Sequence, residues 1–351
     1  MGELQLQINR IVQAQRPTLA EQIVARQYAR QPEFWPPFGA KGRELGVRDV
    51  NYHFQFLTEA LTAEDPSLFA DYVAWVKVLF AGLHFPDAVM ITTLACMQEV
   101  LHEALSAELV PVLDAYIDAG LQQMRQAAAP PTSFVSVDAP LAGLLRQYLD
   151  ALLRGERQTA SRLITDAVQR GADVRAIYLD VFQRSQYEIG RLWLTNQVSV
   201  AQEHYCTAAT QLIMSQLYPS IFATAKNGRR LVATCVGGEL HEIGMRMVAD
   251  FFELDGWDTY YLGANTPTVT VLEAIADRRP DVLGISATMT FHISIAADLI
   301  ERVRASAAGP QVKILVGGYP FIKSPELWRK IGADGFAPDA QGAIEAANAL
   351  L

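Results

Sequence analysis

The last third of the chain alternates between short apolar runs and amphipathic helical segments, and this alternation constrains the fold more than any other feature of the sequence. The first run, 231–236, is followed by a Gly-Gly turn and a helical pattern over 242–254. Four more strand and helix pairs follow, with strands at 258–262, 282–286, 313–316 and 335–337, and helices at 268–278, 291–306, 324–331 and from Ala340 onward. The alternation predicts a parallel, doubly wound sheet, a fold that binds ligands at the carboxyl ends of its strands.

The first part of the chain has a helical pattern throughout. Apolar residues recur at helical spacing over 4–12, 19–28, 52–61, 69–82 and 88–124. These segments predict an all-helical domain over 1–128. The small residues and prolines that follow predict a linker over 129–138.

Four further helical patterns lie between the linker and the sheet, at 139–153, 157–169, 173–194 and 200–224. Their connections are short, so they predict an antiparallel four-helix bundle over 139–226. Ser199 and Gln202 form the sequence pattern of a capping box at the start of the last helix. The sheet domain then occupies 227–351, and the whole chain is expected to be a multidomain protein of α and α/β class.

Composition and charge exclude several classes of protein. The formal net charge is −9 and the first 128 residues contain no basic recognition helix, so nucleic acid is not an expected partner. The N-terminus lacks an apolar signal segment and no apolar run approaches the length of a membrane span, so we expect a cytoplasmic protein without membrane contact. The three cysteines form no CxxC pair, which argues against a disulfide framework or a thiolate zinc site.

A histidine follows the first predicted strand, at the edge of the sheet where ligands bind. The loop Gly237–Gly244 reads GGELHEIG, and it places a carboxylate, Glu239, two residues before His241. An imidazole that ligates a metal through one ring nitrogen commonly donates from the other to a carboxylate. Gly238 and Gly244 would allow a large ligand to approach the backbone closely. This loop therefore indicates a metal-ligating histidine.

Two further motifs follow in the same domain. Residues 245–285 separate Gly244 from Ser286-Ala287-Thr288, and residues 289–316 separate that motif from Gly317-Gly318. The three motifs, in this order and at this spacing, resemble the cobalamin-binding domain shared by methionine synthase, corrinoid methyl carriers, cobalamin-dependent mutases and cobalamin photoreceptors. The resemblance implies the Rossmann-like fold of that domain and cobalamin, with its cobalt, as the cofactor.

The resemblance also implies a role for each motif residue. His241 would be the lower axial ligand of cobalt, replacing the cofactor's own dimethylbenzimidazole, and Glu239 would hold its ring. Ser286 would hydrogen-bond the displaced base, and Gly317-Gly318 would leave room for the nucleotide tail. The chain departs from the family pattern twice, because Glu239 stands in place of the more common Asp and Thr288 in place of Leu. Neither departure removes a ligand.

A second pattern lies in the bundle, above the expected position of the corrin ring. Trp193 ends the third predicted helix, residues 194–202 follow, and Glu203-His204 then begins the fourth, with Val200 three residues before the Glu. This arrangement resembles the signature of CarH-type light-dependent cobalamin photoreceptors. The resemblance covers about 139–351. It implies that Trp193, Val200 and Glu203 line the site of an adenosyl group, and that His204 captures cobalt after light breaks the cobalt–carbon bond.

The preferred function at this point is therefore a light sensor that uses adenosylcobalamin, with photolysis driving a conformational or quaternary change. The N-terminal domain resembles helical, globin-like sensor domains, and its combination with this core resembles the photocobilins, which also bind biliverdin. A bilin needs cations for its propionates and polar groups for its pyrrole nitrogens. The candidates by residue type are Arg43, Arg48, Tyr52, His53 and His84.

Two other functions share this architecture. A corrinoid methyl-carrier protein of a methyltransferase system would use the same cobalamin domain and helical cap, and a light-independent cobalamin sensor would bind the same cofactor. The pattern at Trp193 and Glu203-His204 favours the light sensor, because His204 above cobalt would obstruct methyl delivery. We expect a regulatory binding protein and not an enzyme. Its expected partners are a second copy, in a dimer with light-dependent assembly, and an unidentified downstream protein.

Overall fold

The computed structural model describes residues 2–127, 131–136, 138–307 and 309–351. It divides into two units. The first contains the described part of residues 1–129 together with Met289–Ser294 and Ile322–Lys330, and the second contains the other described residues. Residues 129, 130 and 137 of the predicted linker lie outside the described residues. In the described part of the chain, no helix combines the length and apolarity needed to cross a membrane.

Long helices build the first unit. They are α1 (Glu3–Arg30), α2 (Gly39–Ala63), α3 (Pro66–Gly82), α4 (Asp87–Ala104) and α5 (Val110–Arg125), with a 3-10 turn at Pro36–Phe38. The prediction of an all-helical domain is confirmed here. Asp65 caps α3 by accepting a hydrogen bond from the Ser67 amide at 3.0 Å, and Pro66 occupies the first helical position, where no amide hydrogen bond is lost.

Two of the predicted helix boundaries in this unit are wrong. The segments 4–12 and 19–28 belong to one helix, α1, which continues through Pro17 with buried residues on both sides of it. The predicted helix 88–124 is two helices, because the chain turns extended at Leu105 and α5 starts again with Pro111 in its first turn. A proline lacks the amide hydrogen and its ring blocks the preceding turn, so Pro111 favours a helix start at this point.

Helices α3 and α5 pack closely at Gly120. A Cβ atom at this position would lie 3.0 Å from Val73 Cγ2 and 3.2 Å from Phe69 Cε1. The two helices therefore approach each other closely at this glycine, and a larger side chain would require Val73 or Phe69 to shift by a few tenths of an ångström.

The second unit begins with the helical bundle. Its elements are α6 (Ala142–Leu153), α7 (Arg157–Gln169), α8 (Val174–Ile177), a π-helical segment (Tyr178–Gln183), α9 (Arg184–Leu194), α10 (Val200–Ser215) and α11 (Tyr218–Ile221). The capping box is confirmed, since the Gln202 amide donates to Ser199 Oγ at 3.2 Å and the Ser199 amide to Gln202 Oε1 at 3.0 Å. The last helix ends at Ser215 and not at 224, because Pro219 lies in the first turn of a separate short helix, α11, where its missing amide hydrogen is not needed.

A five-stranded parallel sheet completes the second unit. The strands are β1 (Arg230–Cys235), β2 (Asp258–Tyr261), β3 (Val282–Ser286), β4 (Lys313–Gly317) and β5 (Gly335–Phe336), in the order β2-β1-β3-β4-β5. The helices that follow the strands in the chain are α12 (Ile243–Leu254), α13 (Thr268–Arg278), α14 (Ile293–Ala305), α15 (Tyr319–Lys323), α16 (Leu327–Lys330) and α17 (Ala340–Leu350). A 3-10 turn, Thr290–His292, precedes α14. The predicted doubly wound sheet is confirmed.

The strand order places the ends of β1, β3 and β4 next to one another. The chain leaves β1 toward β2 and returns to β3 on the other side of β1, so the order reverses between β1 and β3. In the register of the sheet, Cys235 pairs with Ser286 and Ser286 with Gly317. The three sequence motifs, although far apart in the chain, therefore begin side by side at the carboxyl edge of the sheet.

Candidate functional site

The loop after β1 holds Glu239 and His241 in a fixed pair. Gly238 has a φ of +81°, a backbone conformation that favours glycine, and its amide donates to Asn265 Oδ1 at 2.7 Å. Glu239 is fully buried, and its Oε1 accepts hydrogen bonds from His241 Nδ1 at 2.6 Å and from the His241 amide at 3.0 Å. The carboxylate therefore fixes both the backbone and the ring of His241.

The second oxygen of Glu239 connects this loop to the loop after β3. The Thr288 amide donates to Glu239 Oε2 at 2.7 Å. Thr288 contributes its backbone amide to the site. Because the contact does not involve the side chain, it is unaffected by the presence of Thr where the family pattern has Leu. The carboxylate of Glu239 therefore joins the loop after β1 to the loop after β3 through the hydrogen bonds that it accepts.

The electrostatics of the site act on the imidazole. The hydrogen bond to Glu239 raises the pKa of His241 above its ordinary value; burial opposes this shift, and the charges of Glu239 and Glu203 add to it. The side chain of His241 is 59% exposed, and Nδ1 is the nitrogen bound to Glu239. The Nε2 atom is therefore the nitrogen that can ligate a metal. This donor arrangement fits a cobalt held from below by His241.

The glycine and serine motifs border the same edge of the sheet. Ser286 is 7% exposed at the end of β3. Gly318 has a φ of +112°, and a Cβ atom there would lie 2.1 Å from the Ala287 carbonyl oxygen, so only glycine fits against the loop after β3. A Cβ atom at Gly244, in the first turn of α12, would meet nothing within 4 Å. The carboxyl edge of the sheet is thus closely packed after β4 and open at the start of α12. The open space at Gly244 would allow a bulky planar ligand to lie beside His241.

The four bundle residues of the second pattern occupy the end of α9 and the start of α10. Trp193 is partly buried in the last turn of α9, and Val200 is 51% exposed at the first position of α10. The side chains of Glu203 and His204 are 30% and 73% exposed, and Glu203 Oε2 lies 3.5 Å from His204 Nε2. Glu203 also acts on the pKa of His241, so the start of α10 lies within electrostatic reach of the loop after β1.

A polar chain inside the bundle positions Glu203. Thr207 Oγ1 lies 2.9 Å from Glu203 Oε1 and 3.1 Å from Gln186 Oε1, and its hydroxyl can donate to one of them at a time. Gln186 Nε2 donates to Thr210 Oγ1 at 2.9 Å, and Thr210 in turn lies 2.9 Å from the Tyr148 hydroxyl. The orientation of Glu203 is therefore coupled to the buried interior of the bundle.

Contacts between the bundle and the sheet domain were not predicted from the sequence. Gln211 Nε2 donates to Glu242 Oε1 at 2.7 Å, and the Tyr178 hydroxyl donates to Asp250 Oδ2 at 2.7 Å. Burial raises the pKa of Asp250 to about 6. In the sequence, only the position of Gln211 could have indicated its contact with the sheet domain, because it lies two helical turns after Glu203 on the same face of α10.

The five residues predicted to bind a bilin do not form one group of contacting side chains. Arg43 is ion-paired with Glu21 at 3.5 Å, and Arg48 lies 3.5 Å from Asp49. Tyr52 is 47% exposed on α2, and His84 is exposed between α3 and α4 with a φ of +63°.

His53 belongs to the core of the first unit. It is 5% exposed, and its Nδ1 lies 2.7 Å from the Tyr72 hydroxyl. Burial lowers the pKa of His53 to about 4, so its ring is neutral near pH 7 and unsuited to neutralise a propionate.

Three protein families match successive parts of the chain. Residues 229–348 match the B12 binding domain family, and residues 144–218 match a second family of B12 binding domains. Residues 1–124 match the phycobilisome protein family. The matched regions correspond to the sheet domain, the bundle and the helices of the first unit.

Several relatives are corrinoid proteins. Dimethylamine corrinoid protein 2 of Methanosarcina acetivorans is 30% identical over 166 residues, which is 47% of this chain and 74% of the relative. Dimethylamine corrinoid protein 3 of the same organism is 26% identical over 223 residues, which is 61% of this chain and 99% of the relative. A solved structure, the monomethylamine corrinoid protein of Methanosarcina barkeri, covers 60% of this chain and 99% of its own at 23% identity, with a TM-score of 0.53. That likeness supports the fold.

These relatives overturn the preferred function of the sequence analysis. The prediction of a light sensor rested on the pattern at Trp193, Val200 and Glu203-His204, yet the relatives are dimethylamine corrinoid proteins and not photoreceptors. The predicted light-driven capture of cobalt by His204 depended on the light-sensor function and is therefore withdrawn as well. The methyl-carrier alternative agrees better with the relatives, and cobalamin binding is common to both.

Proposed function

Because this chain belongs to the family of corrinoid proteins, we propose that it carries a methyl group on a bound cobalamin between partner methyltransferases. In this role it is a binding protein and does not itself catalyse the transfers. The arrangement of Glu239, His241 and the Thr288 amide at the carboxyl edge of the sheet supports the cobalamin site. The observation that supports the carrier role is the similarity to the dimethylamine corrinoid proteins. When bound, cobalamin supplies a cobalt centre that accepts and releases a methyl group.

The lower side of the site is proposed to hold the cofactor through His241. The ring nitrogen Nε2 would bind cobalt, while Glu239 holds Nδ1 and keeps the proton on that nitrogen. A carboxylate partner also makes the imidazole a better electron donor. Ser286 and Gly317-Gly318 are proposed to accommodate the displaced base and the nucleotide tail, as their adjacent positions at the strand ends allow.

The upper side is proposed to be covered by the start of α10 and the end of α9. Val200, Glu203 and His204 expose side-chain surface there, and Trp193 borders it. A carrier must present its methyl group to partners, so we propose that His204, whose side chain is 73% exposed, would ligate the cobalt only of a cofactor that carries no methyl group. Methylcobalamin is then the working form. Adenosylcobalamin, expected from the sequence, is proposed as a competing ligand of the same site.

Three finer proposals concern the rest of the molecule. We propose biliverdin as a second ligand of the N-terminal helical domain, supported by the match of residues 1–124 to the phycobilisome protein family. The exposed cations Arg43 and Arg48 suit its propionates better than the buried His53 does. We also propose the domain limits 1–128, 139–226 and 227–351, with a linker at 129–138, and assembly into a homodimer.

The carrier role is tested by methyl transfer in the dark. The protein is loaded with methylcobalamin and mixed with the methyltransferases that serve the dimethylamine corrinoid proteins and with a thiol that accepts the methyl group. The loss of the methylcobalamin absorption is followed as the thioether forms and the cofactor is left as cobalt(I). We expect transfer from the loaded protein to exceed transfer from free methylcobalamin, and the His241→Ala variant to lose the advantage. No transfer above the free cofactor, together with a cobalt–carbon bond that breaks only under illumination, would contradict the proposal.

A further inference from the structure

The segment that directly follows the motif ending at Thr288 belongs to the first unit. The Thr288 amide donates to Glu239 Oε2 at 2.7 Å, at the carboxyl edge of the sheet. The next residues, Met289–Ser294, pack against α2 inside the first unit. Phe291 meets Phe56 of α2 edge-on, with ring centroids 5.3 Å apart. A helix of the N-terminal domain therefore contacts the chain within a few residues of the proposed cobalamin site.

Glu59 of α2 holds the far end of this segment. Its Oε2 accepts a hydrogen bond from the Ser294 amide at 2.9 Å, and its Oε1 lies 2.6 Å from Ser294 Oγ. Ser294 is the second residue of α14, and the first amides of a helix have no partner inside the helix. A carboxylate there also interacts favourably with the positive end of the helix dipole. Glu59 thus caps α14 from a different helix.

The residues between Thr288 and Ser294 form a short and buried turn. Thr290 and His292 are 6% and 5% exposed, and the His292 amide donates to the Met289 carbonyl at 2.9 Å. Closely packed interiors have low compressibility and transmit a displacement. A shift at Ser294 is therefore expected to change the position of the Thr288 amide.

A second contact of the same kind involves the segment that follows Gly317-Gly318. Lys330 Nζ donates to the Ala63 carbonyl at 2.7 Å, at the end of α2. The last carbonyls of a helix lack partners inside the helix, and lysine commonly supplies one. Ala63 lies one helical turn after Glu59. One face of α2 therefore contacts the chain after both motifs.

The strength of the Glu59 contact depends on pH. Burial raises the pKa of Glu59 to about 7, against the opposing effects of the hydrogen bonds from Ser294 and of the charge of His292. Lys330 is the other charged group on this face of α2, and Tyr72 of α3 stays neutral because burial raises its pKa. An acid whose pKa a contact raises makes that contact best in its neutral form. The contact therefore weakens as the pH rises through 7.

We propose that Glu59 is a positioning residue of the cobalamin site, because it fixes the start of α14 and, through the buried turn, the Thr288 amide that Glu239 binds. Cobalamin binds best when that amide is in place, so loss of the Glu59 contact weakens cobalamin binding. The inference rests on the proposed cobalamin site and not on the transfer of a methyl group.

The test titrates the full chain with methylcobalamin in the dark, at about pH 6 and about pH 8, on either side of the pKa of Glu59. The Kd is measured by calorimetry. Glu59→Ala removes both acceptors, and Glu59→Gln resembles the neutral acid at every pH. The matched control is Glu44→Ala, which removes an exposed carboxylate from the same helix. Titration of His241 is common to all the proteins, so each Kd is compared with that of the wild type at the same pH.

We expect Glu59→Ala to raise the Kd about two- to tenfold at pH 6, where Glu59→Gln should bind as the wild type does. At pH 8 the order should reverse, and Glu59→Gln should bind about two- to tenfold more tightly than the wild type, whose Glu59 is then ionised. Glu44→Ala should match the wild type at both pH values. A merely structural role of Glu59 would instead lower affinity and thermal stability together in both variants, at both pH values.

Several results would overturn the inference. One is a Kd in Glu59→Ala equal to that of the wild type, and another is an equal loss in Glu44→Ala. A third is a ratio of the wild-type Kd to the Glu59→Gln Kd that is the same at both pH values, and this ratio decides the question if Glu59→Ala does not fold. Absence of cobalamin binding by the wild type would refute the proposed site as well, whereas tight wild-type binding with unaffected variants refutes the role of Glu59 alone.

Discussion

Replacing Glu239 by Gln is the sharpest test of how the lower side of the site works. The substitution keeps the size of the side chain and removes its charge. In the wild type the two carboxylate oxygens accept from three donors, the His241 ring at 2.6 Å, the His241 amide at 3.0 Å and the Thr288 amide at 2.7 Å. A Gln side chain has one acceptor oxygen and one donor NH2 group. At least one of the three wild-type donors would therefore face the NH2 group of the substituted side chain instead of an acceptor.

Both orientations of that Gln side chain damage the site. With its nitrogen toward Thr288, the Thr288 amide loses its partner and the two loops separate. With its nitrogen toward His241, the ring must accept at Nδ1, so its proton moves to Nε2 and blocks the metal-binding position. A hydrogen bond to a charged group contributes about 1.5–3 kcal/mol, and changes of this kind next to a metal ligand weaken binding about 10–100-fold.

We therefore expect Glu239→Gln to raise the Kd for cobalamin about 10–100-fold, measured by calorimetry, and to weaken the base-off, His-on absorption spectrum. Glu242→Gln is the matched control, because this neighbouring carboxylate pairs with Gln211 Nε2 at 2.7 Å and with the Tyr261 hydroxyl at 3.2 Å, and not with the ring. An unchanged Kd and spectrum in Glu239→Gln, or an equal loss in Glu242→Gln, would refute this explanation.

Other predictions concern stability and the upper side of the site. Asp250 has a folded-state pKa of about 6 against an ordinary value of 3.8, so its burial destabilises the protein above pH 6 and this cost disappears as the pH falls toward 4. Asp250→Asn keeps an acceptor for the Tyr178 hydroxyl. In urea unfolding it should raise the free energy of unfolding by up to about 3 kcal/mol at pH 8 and by nearly nothing at pH 4. Equal gains at both pH values would contradict a raised pKa of Asp250. Gly120→Ala should destabilise the first unit by about 1–3 kcal/mol in thermal unfolding. Gly46→Ala, on α2 of the same unit, should not, because a Cβ atom there would meet only Val24 at 3.7 Å; similar losses would show that the close packing is not the cause. We expect the wild type to form a bis-histidine spectrum with aquocobalamin and His204→Ala to lose it while still binding methylcobalamin with unchanged affinity. An identical spectrum in the two proteins would contradict the role of His204 as a cobalt ligand.

Much of the fold follows from local sequence patterns. The alternation of strands and helices after residue 229 and the capping box at Ser199 were predicted correctly, because burial of a strand and capping of a helix depend on residues close together in the chain. The boundaries at Leu105 and Ser215 were missed. In each case the helical apolar spacing continues past the end of the helix, and only Pro111 and Pro219 signal the break. The π-helical segment Tyr178–Gln183 carries no comparable signal.

The site was predicted in part. The pairing of Glu239 with His241 is local and could be anticipated from their separation of two residues. The contact of Glu239 with the Thr288 amide could not, because it depends on the register of β1 against β3. The function was predicted wrongly from Trp193 and Glu203-His204, because short side-chain patterns at helix ends describe what can line a pocket and not what the pocket is for.

The most direct test of the account is electron paramagnetic resonance of the protein loaded with cobalamin and reduced to the cobalt(II) state. The signal is recorded for unlabelled protein and for protein carrying ¹⁵N-histidine, with unlabelled cofactor in both. If His241 holds the cobalt, the nitrogen splitting changes from a triplet to a doublet on labelling, and His241→Ala abolishes the change. A triplet that persists in the labelled protein would show that the cofactor keeps its own base, and would contradict the assignment of His241 as the lower ligand.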